Sequence, residues 1–261
     1  MKEKILLFIP AYNCEKQIAR TLAKFNAAAP DVFTELLIIE NRSTDNTLAV
    51  CQREIGKITH TKTTLIQNRE NYNLGGSHKV AFNYALDCGF DYVAILHGDD
   101  QGDIADLVPR IQRGEHRLVD NLLGARFMPQ SKLIHYSRFR TFGNLVFNQL
   151  FSLIWGKKLY DLGSGLNLYS TRFLQSRFYL HFPNALTFNY YLVLYSLFNQ
   201  TRISFFPLTW REEDQVSNVK LFKQARRLLL ILAQSLFSRR ALINRSHVPP
   251  QEYAYQIIAT N

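Results

Sequence analysis

The sequence predicts an α/β fold built on a mostly parallel sheet flanked by helices. Three observations carry that expectation. Over the first 125 residues, strand-like and helix-like segments alternate, the pattern of successive βαβ units. The strand-like segments are continuous apolar runs, as expected when helices cover both faces of a sheet. Polar sequences follow these runs at their carboxyl ends, where open α/β sheets bind ligands.

The elements read in order as follows. "KILLFI" (4–9) is a buried first strand, and residues 15–28 carry a helical pattern. "ELLIIE" (35–40) is the second strand. "STDNT" then supplies helix N-cap chemistry before "LAVCQREIG", with Asp45 in the capping role. "TTLIQN" (63–68) is a shorter third strand, and "GGSHKVAFNYALDCG" is a glycine turn leading into a helix. "DYVAIL" (91–96) and "LVDNLLGA" (118–125) are the fourth and fifth strands. The polar ends "PAYN" (10–13), "ENRSTDN" (40–46), "NRENYNLGG" (68–76) and "HGDDQGD" (97–103) are expected to converge on one crevice.

After residue 125 long aromatic-rich helical segments dominate, broken by "DLGSGLN" (161–167) and "PLTWREEDQVSN" (207–218). No internal repeat or low-complexity linker is visible, so one compact unit is expected. Within it, residues 1–125 form one half, 126–220 a second half, and 221–261 a basic amphipathic C-terminal segment.

Composition narrows the function. The 261 residues are 47% hydrophobic, enough for a substantial core. Lys and Arg number 31 against 21 Asp and Glu, a net charge of +10 that favours anionic partners. The basic residues are spread along the chain and no nucleic-acid module is present, so nucleic acid is not the expected partner. The cysteines at 14, 51 and 88 have no CxxC spacing, which argues against a disulfide framework or zinc site and for a reducing compartment. The N-terminal "MKEKILLFIPAYN" reads as a strand ended by Pro10, not as a signal peptide.

No window reaches the roughly 18 uninterrupted apolar residues of a spanning helix. The nearest are "FRTFGNLVFNQLFSLIWGKK" (139–158) and "LFKQARRLLLILAQSLFSRR" (221–240), each mixed with polar residues and closed by a basic pair. Such segments either lie in a membrane interface or pack on the protein's own core with a solvated basic face.

The crevice residues allow specific chemistry, each beside a plainer reading. Asp99-Asp100 at a strand end can hold a hard divalent cation, because Mg²⁺ and Mn²⁺ take few protein carboxylates and fill their shell with water and phosphate oxygens. It can equally be a turn capping the helix that begins near Asp103. Glu40 can accept hydrogen bonds from a nucleotide base, or serve the following helix as a cap. Gly75-Gly76 can present backbone N–H groups to phosphate, or form a plain turn. Neither a P-loop nor a GxGxxG follows the strands. Arg211, Ser217 and Lys220 are spaced for a loop around an anionic group, or for a surface ion-pair loop with Glu212, Glu213 and Asp214.

As an ordered set over residues 4–110, "IPAYN", "IIENRSTDNT", the glycine segment and "LHGDDQ" resemble a family 2 glycosyltransferase with the GT-A fold. Glu40 stands where that family carries a base-binding Asp. His97-Gly98-Asp99 stands where it carries D-x-D, leaving Asp99 as the usual metal ligand. The second half is similar to the polyprenyl-phosphate branch: Asp161, Ser164 and Gly165 match its D-x-x-S-G element, and Arg211 its phosphate loop, with Ser217 and Lys220 more widely spaced.

The resemblance implies an inverting transfer from a nucleoside-diphosphate sugar with Mg²⁺ or Mn²⁺. It assigns Asp99, Asp161 and Arg211 to catalysis, and Asp99 to the metal with help from His97 or Asp100. Substrate contacts are expected from Pro10, Tyr12, Asn13, Glu40, Asn41, Ser43, Gly75, Gly76, Asp100, Gln101, Ser164, Gly165, Ser217 and Lys220. Many members carry an acceptor-side carboxylate as general base, where "NALTFNYYLVLYSLF" here has Asn189. A phosphate acceptor is already ionised and needs no base, so a polyprenyl phosphate at the cytoplasmic face of a membrane is the expected acceptor. Two alternatives stand beside it: extension of a glycan at a sugar hydroxyl, with Asp161 or an acid of 212–214 as base, and a non-catalytic nucleotide-binding domain.

Overall fold

The computed structural model describes residues 2–29, 31–214 and 221–261. In chain order the elements are β1 (Ile5–Ala11), α1 (Ile18–Ala28), β2 (Glu35–Glu40), α2 (Thr47–Ile55), β3 (Lys62–Asn68), α3 (Asn73–Asp87), β4 (Tyr92–Leu96), α4 (Val108–Gln112), β5 (Asn121–Ala125), β6 (Lys132–Ile134), α5 (Arg138–Trp155), β7 (Leu166–Ser170), α6 (Thr171–Leu174), α7 (Phe188–Phe198), β8 (Ile203–Pro207), β9 (Thr209–Arg211), α8 (Leu221–Phe237), α9 (Arg239–Asn244) and β10 (Tyr255–Thr260).

Eight strands form one sheet in the order β10-β3-β2-β1-β4-β7-β5-β8, and β6 pairs with β9 separately. β1 pairs in parallel with both β2 and β4. The chain therefore winds outward from β1 in both directions, and the switch point lies between the carboxyl ends of β1 and β4. That is where ligands bind in open α/β sheets.

Both faces of the sheet are covered, which explains the unbroken apolar runs. Leu6 and Phe8 of β1 join a core with α3, α5, α7, α8 and α9. Ile5, Leu7 and Ile9 join a second core with α1, α2 and α4. Successive strand residues point to opposite faces, so a strand between two helical layers must be apolar throughout.

Three features differ from the sequence reading. The segment 161–167, read as a break, runs into β7, which inserts antiparallel between β4 and β5. The sheet thus continues across residue 125. The fifth strand is shorter than expected, because residues 115–118 form a 3₁₀ turn. The C-terminal segment, expected as one basic amphipathic stretch, is helical through α8 and α9 and then returns as β10, antiparallel to β3 with a bulge near Ile257.

Candidate active site

The loops after β1 and β2 clasp each other at the carboxyl edge. Asn13, in left-handed backbone (φ 47°), donates its N–H to Ser43 Oγ at 3.0 Å and accepts the Thr44 N–H at 2.8 Å. Glu40 is wholly buried. Its carboxylate accepts the N–H groups of Arg42 (3.1 Å) and Ser43 (2.6 Å) and the Gln67 amide (2.8 Å). Three donors occupy most of a carboxylate's acceptor sites. Glu40 thus shapes the loop that follows β2. Asn41 is similarly engaged, accepting from Asn68 and from Tyr72 N–H and donating to Asn71. Tyr12 stays exposed beside this clasp.

At the end of β4, Gly98 N–H donates to the Pro10 carbonyl at 3.1 Å, tying the two sides of the switch point. Asp99 accepts the Gln101 N–H at 3.2 Å. Burial pushes its carboxyl up to about 6, opposed by that N–H and reinforced by the nearby Asp100 and Glu212 charges.

Asp100 does not join Asp99. In left-handed backbone (φ 61°), it turns its carboxylate to α1, 2.5 Å from Lys24 Nζ and 2.9 Å from Arg20 Nε. Its expected part in metal binding is corrected accordingly.

His97 is packed between His78 and Gly165. The two imidazoles meet edge to face at 6.1 Å, and a Cβ at residue 165 would lie 2.8 Å from His97 Nδ1. Burial, with Arg126 nearby, lowers the His97 pKa to about 4, so the ring is neutral. Its Nε2 is buried without a hydrogen-bond partner.

Among the described residues, no three His, Cys, Asp or Glu side chains group into a metal-holding set. A hard cation that takes one protein carboxylate and completes its shell with diphosphate and water oxygens nonetheless fits Asp99. His97 Nε2 is a buried nitrogen with no hydrogen-bond partner at this strand end, and the Nε2 of the neighbouring His78 is buried and unpartnered too.

The second half contributes paired charges. Asp161 is buried and accepts two hydrogen bonds from the Arg126 guanidinium (2.7 and 2.9 Å), one from Arg126 N–H (3.0 Å) and one from Gly163 N–H (3.0 Å). The guanidinium also faces the Phe127 and Trp210 rings at 5.1 and 5.2 Å. So engaged, Asp161 is not placed to act as a general base, which corrects that expectation. Glu212 accepts from Arg140 (2.5 Å) and Gln101 (3.3 Å). Asp214 pairs with Arg20 at 2.7 Å.

Arg211 donates its N–H to the Gln101 carbonyl, and its guanidinium lies 3.6 Å from Asp103. Ser164 shapes the turn into β7: its carbonyl accepts from Asn167 and Asn189, and its Oγ from Leu166 N–H. Ser217 and Lys220 lie outside the described residues.

Of the glycine pair expected to meet phosphate, Gly75 has its backbone N–H already engaged. Gly75 N–H donates to the Asn184 carbonyl at 2.8 Å, and a Cβ there would meet Pro183 O at 2.6 Å. A Cβ at Gly76 would meet Tyr72. Both glycines exist for close packing of α3.

Arg126 and Arg140 escaped the sequence reading. Arg126 directly follows β5, so the strand-end rule could have found it. Arg140 sits in the first turn of a helix with no local signal.

Comparison with known proteins agrees with this geometry. The model of glycosyl transferase family 2 matches residues 7–178. An uncharacterized protein of Methanocaldococcus jannaschii is 24% identical over 169 residues, 65% of each chain, so this chain spans just under two thirds of that relative's length. Among solved structures, glucosyl-3-phosphoglycerate synthase from Mycobacterium tuberculosis, in complex with Mn²⁺, UDP-glucose and phosphoglyceric acid, aligns with a TM-score of 0.65 at 17% identity, covering 91% of this chain and 79% of that one. S. aureus TarS (residues 1–349), in complex with UDP-GlcNAc, aligns with a TM-score of 0.58 at 17% identity, covering 90% and 67%. The fold of these structures is the fold of this chain, and by the family match over most of its length the chain belongs to glycosyl transferase family 2.

Proposed function

We propose that this family 2 glycosyltransferase moves a sugar from a nucleoside-diphosphate sugar to a polyprenyl phosphate, working peripherally on the cytoplasmic face of a membrane. One observation supports the phosphate acceptor. Three of the four candidate acids, Asp161, Glu212 and Asp214, each face an arginine: Arg126, Arg140 and Arg20 respectively. A carboxylate committed to a guanidinium is a poor base. A phosphate monoester is already ionised and attacks the anomeric carbon without one.

The roles follow from position. Asp99 at the switch point would hold Mg²⁺ or Mn²⁺, which when bound neutralises charge on the departing diphosphate. Arg211, beside Gln101 and Asp103, adds positive charge on the same side. The clasp of Asn13, Ser43 and Glu40 shapes the nucleotide wall, with Tyr12 exposed to stack on a base. The two structural neighbours were crystallised with UDP-sugars, so UDP-sugars are the first donors to try.

A second reading has transfer to a hydroxyl. It is favoured by phosphoglyceric acid, a non-lipid molecule held together with UDP-glucose in the M. tuberculosis complex. The test is nucleoside diphosphate release from UDP-sugars with Mn²⁺, with and without polyprenyl phosphate. Stimulation by the lipid supports the first reading. Stimulation only by an oligosaccharide, lost in Glu212→Gln, supports the second.

A further inference from the structure

The exposed apolar surface is concentrated on two helices. Of the fourteen large hydrophobic side chains exposed among the described residues, nine lie on α5 and α8. On α5, Phe139 (77% exposed), Phe142, Val146 and Leu153 repeat at helical spacing along one stripe. The opposite stripe, Asn148, Phe151 and Trp155, faces the core. On α8, Leu229 and Leu236, and Leu230 and Phe237 (88% exposed), are pairs seven residues apart, while Leu228, Ile231 and Leu232 are buried.

The helices pack against each other. Arg239, just beyond α8, donates to the Ile154 carbonyl and lies 4.9 Å from the Trp155 ring centre. The two stripes thus belong to one joined pair of helices. Exposed apolar side chains clustered in this way mark an interaction site.

Charge selects the occupant. Residues 126–160 and 221–251 hold six Lys/Arg each and no Asp or Glu; Arg126 and Arg140 are committed to Asp161 and Glu212, and the exposed cations include Lys132, Arg138, Lys157, Lys158, Arg240 and Arg245. A second copy of the chain would bring the same basic face, and like charges disfavour that contact. An anionic bilayer satisfies both properties: the apolar stripes enter the acyl boundary while the cations meet phosphate headgroups. Among the described residues no helix is long and apolar enough to cross a membrane, so the contact is a surface one. Between α8 and α9 a cavity of about 220 Å³, walled by Leu230, Ala233, Phe237 and Leu242 with Arg245 also lining it, offers an apolar recess for an acyl chain.

We propose that α5 and α8 together form a docking surface for an anionic lipid bilayer. The surface also leads to the site. Arg140, in the first turn of α5, holds Glu212, which in turn holds Gln101 next to Asp99 and Asp100. Docking by α5 would therefore place the Asp99 crevice near the headgroups, where a lipid phosphate is presented. The inference rests on the membrane-proximal part of the functional reading and identifies the surface responsible.

The experiment is co-sedimentation of the full chain with vesicles of phosphatidylcholine alone or mixed with phosphatidylglycerol, at low and high salt. The wild type should bind the anionic vesicles, weakly bind the neutral ones, and lose affinity with salt. Leu229→Glu/Phe237→Glu, at exposed positions, should lower vesicle affinity at least about tenfold, with its thermal midpoint and donor binding unchanged. A second variant, Phe142→Glu/Val146→Glu, should behave alike. The idea is overturned if the wild type stays in the supernatant. It is equally overturned if the variants bind as well as wild type, or if they instead dissolve a dimer seen by sedimentation velocity without vesicles. Vesicle binding without transfer to lipid phosphate would retain the surface and remove the acceptor reading. Transfer to a soluble short-chain prenyl phosphate without vesicle binding would do the reverse.

Discussion

His97 lies so close to Gly165 that a methyl group on residue 165 would come within 2.8 Å of Nδ1 and 3.0 Å of Cε1. Gly165, lacking a side chain, thus makes room for His97 at the end of β4.

Gly165→Ala should therefore overpack the site by about 1–3 kcal/mol and reduce donor binding. His97→Ala vacates the space. The double variant should recover most of the stability lost by Gly165→Ala, a coupling that denaturant melts of the four proteins would read. Strict additivity would contradict the contact.

The pair Asp161–Arg126 is buried and bidentate. Removing one partner should destabilise by about 3–5 kcal/mol. Asp161→Asn should then lower the thermal midpoint, while the pH–rate profile of the surviving activity keeps its shape. An unchanged midpoint with abolished turnover would instead make Asp161 the base.

His78 is enclosed by Phe8, Phe82 and Phe188, and burial lowers its pKa to about 3. Its unfolded value is near 6.5. Below 6.5 the unfolded chain takes a proton that the native state refuses. Its contribution to stability is therefore fully present above 6.5 and is lost as pH falls from there toward about 3. The slope is about 1.4 kcal/mol per pH unit. Urea melts at stepped pH should show this slope, flattened in His78→Phe.

Glu40 receives two backbone N–H groups and the Gln67 amide. Glu40→Gln places an NH₂ where only acceptors fit. It should weaken UDP binding through loop disorder, and equally for UDP and for a base analogue lacking the ring N–H, as compared by calorimetry. A loss confined to UDP would point to direct base reading by Glu40.

Much of the fold was legible because β1 to β4 are covered on both faces, and a doubly covered strand is a plain apolar run; β2 was read to its boundaries. β7 was not, because "LNLYS" carries polar residues whose partners lie elsewhere, as Asn167 accepting from Gly124 N–H does. β10 was missed because it is a sheet edge with a mixed pattern: Tyr255 and Ile257 are exposed, while Ile258 and Ala259 pack on the core. The site divides the same way. Asp99 announces itself at a strand end. Asp100's turn toward Arg20 and Lys24, 80 and 76 residues away, and Asp161's pairing with Arg126 are tertiary facts with no local trace.

The central claim is that Asp99, and not Asp100, is the acidic group of the donor site. Its most direct measurement is nucleoside diphosphate release from a UDP-sugar with Mn²⁺ and polyprenyl phosphate, comparing Asp99→Asn with Asp100→Asn. Asp99→Asn should lose about 10²–10³-fold in turnover and its Mn²⁺-dependent thermal shift. Asp100→Asn should keep the Mn²⁺ dependence and lose mainly stability. Equal loss of Mn²⁺ response in both, or its retention in Asp99→Asn, would contradict the assignment.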